Sequence, residues 1–317
     1  GSIDDRAGVL EVQVGDFLVL GGDAGFTKVT ESVTLDDGTS VSNASVLKLG
    51  LTSGTLFAGI NYGPPGEQGL TASTVDLGLA VITDSSGGNT WYAATGTAST
   101  ITVTGFDGLS LAVSSLAVSV NTAAGGHVVD FDPNGNQPSG AAMLIPSGPT
   151  IGFDGDTGEL LEVSGSVTLD AFEFVQISGG FALKRSETSL TLADNPDTVD
   201  VDESATAVAV DLLTIGLSHV NGFAGLGQAL VRDGEGTITD AGSAVGLALE
   251  DLNLGLMVAV ERLDASRTWT ALQAVAGGVN FIGVDGLTVT AQTFSVNVNR
   301  AAGDGTVVDL NNGTAQN

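Results

Sequence analysis

Apolar and polar residues alternate along much of the chain. Leu109, Leu111 and Val113 share one parity against Ser110, Ala112 and Ser114, and Leu116, Val118 and Val120 share one against Ala117, Ser119 and Asn121. A period of two predicts half-buried strands. Between the runs the phase jumps by three, at Val113-Ser114-Ser115-Leu116, and the jump recurs at Ala291-Gln292-Thr293-Phe294, Val14-Gly15-Asp16-Phe17 and Leu169-Asp170-Ala171-Phe172. A two-residue hairpin favours Asn-Gly or Asp-Gly, and Ser-Ser, Gln-Thr, Gly-Asp and Asp-Ala are poor substitutes. A corner or bulge fits better. The expected fold class is therefore all-β, with tandem repeats forming a β-solenoid, β-prism or elongated barrel, and two β-sandwich domains as the alternative. Residues 245–263 could pass as a helix, yet their counterpart at 70–83 carries Thr, Ser and Gly at strand-like intervals, so a strand is expected there too.

The strongest signal is internal repetition. Residues 98–131 match 276–310: Gly105, Asp107, Gly108, Leu109, Val118, Val120, Asn121, Ala123, Ala124 and Gly125 recur as Gly283, Asp285, Gly286, Leu287, Val296, Val298, Asn299, Ala301, Ala302 and Gly303. The two tryptophans, Trp91 and Trp269, are equivalent, and 12–31 parallels 167–187. The second copy is longer by about 20 residues, placed around 194–205 and 231–240 and read as surface loops. The organisation expected is a tag remnant and leader at 1–7, repeat copy 1 at 8–132, a linker or capping turn at 133–157 that holds four of the seven prolines, and repeat copy 2 at 158–317. Gly1-Ser2 reads as a cleavage scar, and the chain as an internal fragment of a longer protein.

Composition narrows the partners. With 37 acidic against 9 basic residues the formal charge is -28, which disfavours nucleic acid and anionic membranes. No apolar run approaches the roughly 20 residues of a membrane-spanning helix, so no membrane insertion is expected. There is no cysteine, hence neither disulfides nor thiolate metal ligands.

Three patterns carry a resemblance: SG-x-V-x-L-x-x-F at 164–172, SGGFAL at 178–183, and GxDGLxxxxxxxxVxxN at 283–299 with its twin at 105–121. Together they resemble the long degenerate repeats of giant bacterial surface or secreted proteins, loosely described as LEPR-XLL, RTX-associated or adhesin-like. The resemblance implies an extracellular, β-rich stalk or fibre segment, commonly assisted by calcium. The GGxGxDxUx nonapeptide of a calcium-loaded RTX roll is absent from the sequence, so that calcium chemistry does not carry over.

Few residues suggest chemistry. Asp130, Asp132, Asn134 and Asn136 have the D-x-D-x-N-G-N spacing by which alternate oxygens can converge on Ca2+, although Ala141 stands where a bidentate Glu would be. The plainer reading is an Asx-rich turn that ends the repeat. Trp91 and Trp269 could form sugar-stacking platforms or act as core plugs. Asp107 and Asp285 belong to G-x-D-G turns, and Lys28 with Glu31, like Lys184 with Glu187, reads as a repeated ion pair. His127 and His219 are not equivalent and show no catalytic arrangement, being expected at a loop and an edge. No nucleophile elbow, phosphate loop or HExxH is present in the sequence.

The function expected is a non-enzymatic structural or adhesive repeat segment, secreted or at the cell surface, whose partners are neighbouring repeats of the same polypeptide or further copies. The alternatives are a module binding carbohydrate or an apolar ligand and, last, a glycoside hydrolase, whose paired carboxylates leave no sequence signature.

Overall fold

The computed structural model describes residues 3–14, 18–60, 67–134, 140–172, 174–193, 207–227, 230–233, 238–284, 286–287 and 289–310. The chain is all-β, with no α-helix among these residues and a single 3-10 turn at Gly155–Thr157. It divides into two compact units, Gly1–Phe172 and Glu173–Asn317. The boundary falls inside the stretch where the second sequence copy begins.

Unit 1 is an antiparallel meander of β1 (Ile3–Val14), β2 (Leu18–Leu35), β3 (Ser40–Ile60), β4 (Gln68–Thr83), β5 (Thr90–Thr104), β6 (Leu109–Asn121) and, after the short β7 (Val129–Asp130), β8 (Leu160–Ala171). Each strand pairs with its predecessor, except that β6 pairs with β8 while β7 turns back to pair with β2. Unit 2 repeats the plan with β9 (Val175–Ala193), β10 (Ala207–Leu226), β13 (Val245–Glu261), β14 (Thr268–Ile282) and β15 (Val289–Arg300). A small hairpin, β11 (Val231–Arg232) and β12 (Ile238–Asp240), is inserted, and β16 (Val307–Val308) pairs with β9 as β7 pairs with β2. The sheet does not close into a barrel, which corrects that expectation. Every described pairing between strands is antiparallel.

The strands are long because alternation persists across interruptions that would otherwise end them. At Ser115 and Thr293 the backbone takes φ of 53° and 54° while β6 and β15 continue, so two of the four phase jumps are bulges within strands. The jump at Gly15-Asp16 lies outside the described residues, though Val14 pairs with Leu18 on either side of it, so β1 and β2 are antiparallel neighbours. At Asp170-Ala171 the strand ends, and Phe172 turns with φ of 54°. A bulge keeps both flanks on one face, as a short reversal does, so parity alone did not separate the two.

Further left-handed residues lie on neighbouring strands at Ser53 and Thr74 in unit 1, and at their counterparts His219 and Asp251 in unit 2. The bulge N–H of Ser53 donates to Asp76 Oδ1 at 2.9 Å, and that of His219 to Asn253 Oδ1 at 3.0 Å. A short polar side chain on the next strand thus satisfies the peptide group that each bulge removes from the ladder.

The main core of each unit gathers around its tryptophan. In unit 1, Val33, Leu35, Val46, Ile82, Trp91, Val129 and Phe131 are joined by Met143, Ile145 and Ile151 from the expected linker. That segment is therefore a packed cover. In unit 2, Leu190, Leu192, Val208, Val210, Leu212 and Trp269 form the equivalent cluster. A separate cluster of Phe223, Ala244 and Ala248 is roofed by Leu230 and Ile238 of the inserted hairpin, so this expected surface loop packs on the sheet. The other proposed insertion, 194–205, lies outside the described residues.

Candidate functional site

Both tryptophans are fully buried, and the same backbone anchor holds each. Trp91 Nε1 donates to the His127 carbonyl at 2.9 Å, and Trp269 Nε1 to the Thr306 carbonyl at 3.1 Å. Neither ring presents a face on which a sugar could stack, which removes the platform reading for both. A second anchor sits beside each: the Asn121 amide donates to the Val129 carbonyl and the Asn299 amide to the Val308 carbonyl, both at 2.9 Å. These bonds tie the segment after β6 or β15 back across the strand ends.

Of the four proposed calcium ligands, Asp130 is buried and its carboxylate accepts from the N–H groups of Asp132 at 3.0 Å, Gly140 at 2.6 Å and Gly155 at 3.1 Å. Its oxygens serve the backbone of the cover segment. Asp132 accepts from the Asn134 N–H at 2.8 Å, an Asx turn, and Asn136 lies outside the described residues. The G-x-D-G turns are formed, with Leu109 N–H bonding the Phe106 carbonyl and Leu287 N–H the Val284 carbonyl, and with Gly108 and Gly286 at φ of 76° and 78°. Asp285 itself lies outside the described residues.

The repeated glutamates are paired, though not as their sequence neighbours suggested. Glu31 meets Lys48 at 2.9 Å and Glu187 meets Arg262 at 2.7 Å. Residues three apart in a strand point to opposite faces, so Lys28 and Lys184 could not serve; the partners come from elsewhere in the sheet.

Sequence reasoning missed the acidic partners of both histidines. His127 Nδ1 lies 2.8 Å from Asp36 and its Nε2 3.6 Å from Asp37. This Asp-Asp-His group is the one set among the described residues close enough to share a metal ion. The Asp37 carboxyl is held below its ordinary range by the Thr39 N–H and hydroxyl and by His127. His219, at the bulge in unit 2, has Nδ1 2.8 Å from Asp251 Oδ1, and Asn253 and Asn221 hold that aspartate. The described hydrogen bonds bring no serine or second acid to this pair, so a histidine–aspartate couple stands without a nucleophile. No sequence signal could have found these groups, because their members are 32 and 91 residues apart.

A cavity of about 270 Å³ lies between the cover and the sheet, lined by Glu31, Val33, Lys48, Val129, Met143 and Leu144. It is smaller than ordinary ligand pockets and contains the Lys48–Glu31 pair, which suits an apolar ligand poorly.

The feature with the clearest capacity to bind is an edge. In unit 1, β6 is paired on both sides, by β5 and by β8, and its apolar side chains are half-buried. In unit 2 the equivalent β15 pairs only with β14 among the described residues. Leu287, Val289, Phe294 and Val298 are exposed at or beside it. An unpaired strand with a bare apolar row is a template for another strand.

Compared with protein-family models, with curated proteins and with solved structures, the chain matches none.

Proposed function

We propose that this chain is a structural or adhesive repeat segment of a large extracellular bacterial protein, a building block of a stalk or fibre with no catalytic role. The observation that carries the reading is the open edge of β15, where the first copy has a paired strand. Within unit 1, the edge of β6 is occupied by β8, and β8 is the strand with which the second sequence copy begins. The strand equivalent to β8 in the first copy is β1, which pairs only with β2 among the described residues. Copies therefore join when the first strand of one adds to the last long strand of another. Such head-to-tail addition is heterologous, and it extends into a fibre wherever its rotation does not close a ring. The duplicated Trp and Asn anchors support the same reading, since what recurs is architecture while the acidic and histidine groups do not. The acidic composition and the resemblance to giant surface repeats support a secreted or cell-surface location; calcium and glycans are not needed for this role.

The pairing of β6 with β8 supplies a register for the test. Val118 faces Val163, and their equivalents are Val296 on β15 and Gly8 on β1. The chain has no cysteine, so a variant carrying Val296→Cys and Gly8→Cys has only the two thiols needed. Mild oxidation should give a ladder of covalent oligomers, which either single variant cannot extend beyond a dimer. Monomer alone after oxidation of the double variant, with the fold intact by circular dichroism, would overturn the proposal.

A further inference from the structure

Three glycines of unit 1 lie side by side across the sheet, Gly25 opposite Gly50 and Gly50 opposite Gly78. All three are buried under the turn of the cover segment. A Cβ on Gly25 would lie 2.9 Å from the Pro146 carbonyl carbon, one on Gly78 would lie 2.6 Å from the Pro149 oxygen, and one on Gly50 would run into the Pro146 carbonyl. Glycine is required here because the cover rests directly on the strand backbones. The cover is a hairpin strap: Met143 and Ile151 exchange N–H···O bonds of 2.8 and 3.0 Å, and Gly148 N–H closes the turn on the Ile145 carbonyl at 3.2 Å. Its sequence, MLIPSGPTI, has no charge, and Met143, Ile145 and Ile151 are buried.

Unit 2 carries the same lane. Gly216 faces Ala182 on one side and Gly255 on the other, at the positions of Gly50, Gly25 and Gly78. Among the described residues nothing lies within 4 Å of where a Cβ on Gly216 or Gly255 would stand. Gly255 and Ala182 are exposed. The lane continues into the apolar cluster of unit 2 through Leu212 and Met257. Strand glycines weaken a sheet unless a backbone must approach closely, and among the described residues none approaches Gly216 or Gly255.

We infer that the lane of unit 2 is a docking seat for a strap of the chemistry that fills the first: an uncharged β-hairpin with a Pro-Ser-Gly-Pro turn and alternate apolar residues. The only segment of the chain with that pattern, residues 143–151, is already seated on unit 1. An uncharged strap also avoids the repulsion that an acidic partner would meet from a chain of charge -28. The seat is independent of the β15 edge, being on a sheet face, and it stands whether or not edges pair.

The test is binding of a synthetic peptide of residues 141–153, preformed by a disulfide between added terminal cysteines, to the full chain by titration calorimetry. Saturable binding of one peptide per chain is expected, weakened at least about tenfold by Gly216→Val or Gly255→Val, whose side chains would fill the lane. Those variants place a β-branched residue on an extended strand, so folding should survive, which a melt verifies. A peptide with Gly148→Val tests the other partner without touching the protein: in unit 1 a Cβ there would lie 2.7 Å from the Leu77 oxygen and 2.9 Å from Gly50 Cα. It should bind at least about tenfold more weakly. Absence of binding by the parent peptide, or binding that the glycine variants leave unchanged, overturns the inference; the second result would mean that the peptide displaces the strap of unit 1.

Discussion

Unit 1 and unit 2 are built on one plan and finished differently. Both anchor a buried tryptophan and an asparagine to backbone carbonyls, and both carry left-handed bulges at equivalent places. Around these shared features the surroundings diverge. Beside Trp91, His127 meets Asp36 and Asp37; beside Trp269, Arg267 stacks 5.0 Å from the ring centroid and pairs with Glu261 and Asp304. Unit 1 wears a strap and has β8 along β6, whereas the lane and the edge of unit 2 are open within its own described residues. The lesson is that side-chain-to-backbone contacts outlast divergence, because the backbone acceptor is present whatever residue carries it. Contacts between two side chains need coordinated change and have been replaced.

The comparison is sharpened most strongly at the tryptophans. Trp91→Ala and Trp269→Ala should each destabilise by about 3–5 kcal/mol, through a large cavity and a stranded carbonyl. Calorimetry should show each variant lowering the transition of its own unit; a single transition lowered equally by both would mean that the units do not melt separately. Next comes the glycine lane. Gly50→Val should cost unit 1 about 2–3 kcal/mol, since the strap must lift, whereas Gly216→Val should change unit 2 by less than about 0.5 kcal/mol. Equal effects in denaturant titration would show that the lane of unit 2 is not open.

The asparagine anchors should differ by less. Asn121 is buried and Asn299 exposed, so Asn121→Ala should cost about 1–2 kcal/mol and Asn299→Ala roughly half of that. Asn121 Oδ1 is buried without a hydrogen-bond partner, which will make the measured loss smaller than the bond alone suggests.

The smallest effect is acid sensitivity, which should be shared. Asp37 and Asp84 in unit 1, and Asp264 in unit 2, are held below 3.8 chiefly by hydrogen bonds from Thr39, Ser86 and Ser266 respectively. For Asp304, burial works against ionisation, but Thr306 and Arg267 outweigh it and the carboxyl is again lowered. Near these values the unfolded chain binds more protons than the folded one, so their contribution is full above 3.8 and disappears as pH falls through the lower folded values. Melting temperature should therefore be level from about pH 6 to 4 and decline below that in both units. A decline that begins near pH 6 would mean that groups other than these carboxylates set the acid limit.

Much of the fold was legible from residue order. The strand over 245–261 was assigned correctly against its own helical pattern, because comparison with 70–83 outweighed propensity. The bulges at Ser115 and Thr293 are legible as phase jumps, while the antiparallel return from β1 to β2 gives the same parity and is not distinguished from them by residue order. The charged contacts were not legible: Glu31 finds Lys48 and Glu187 finds Arg262, choices made by strand neighbours. The proline-rich stretch looked like a linker because turn residues and apolar residues were interleaved in it. Its role as a strap depends on a glycine lane contributed by β2, β3 and β4.

By itself, then, the sequence determined that this is a duplicated β protein with long alternating strands, since a period of two and a repeated series of Gly, Trp and Asn are properties of residue order. Tertiary structure alone decided that both tryptophans are buried, which carboxylates meet histidines, and which lane and edge stay open. Those depend on what packs across the sheet at separations of tens of residues, and local pattern carries no information about a neighbour that only folding brings near.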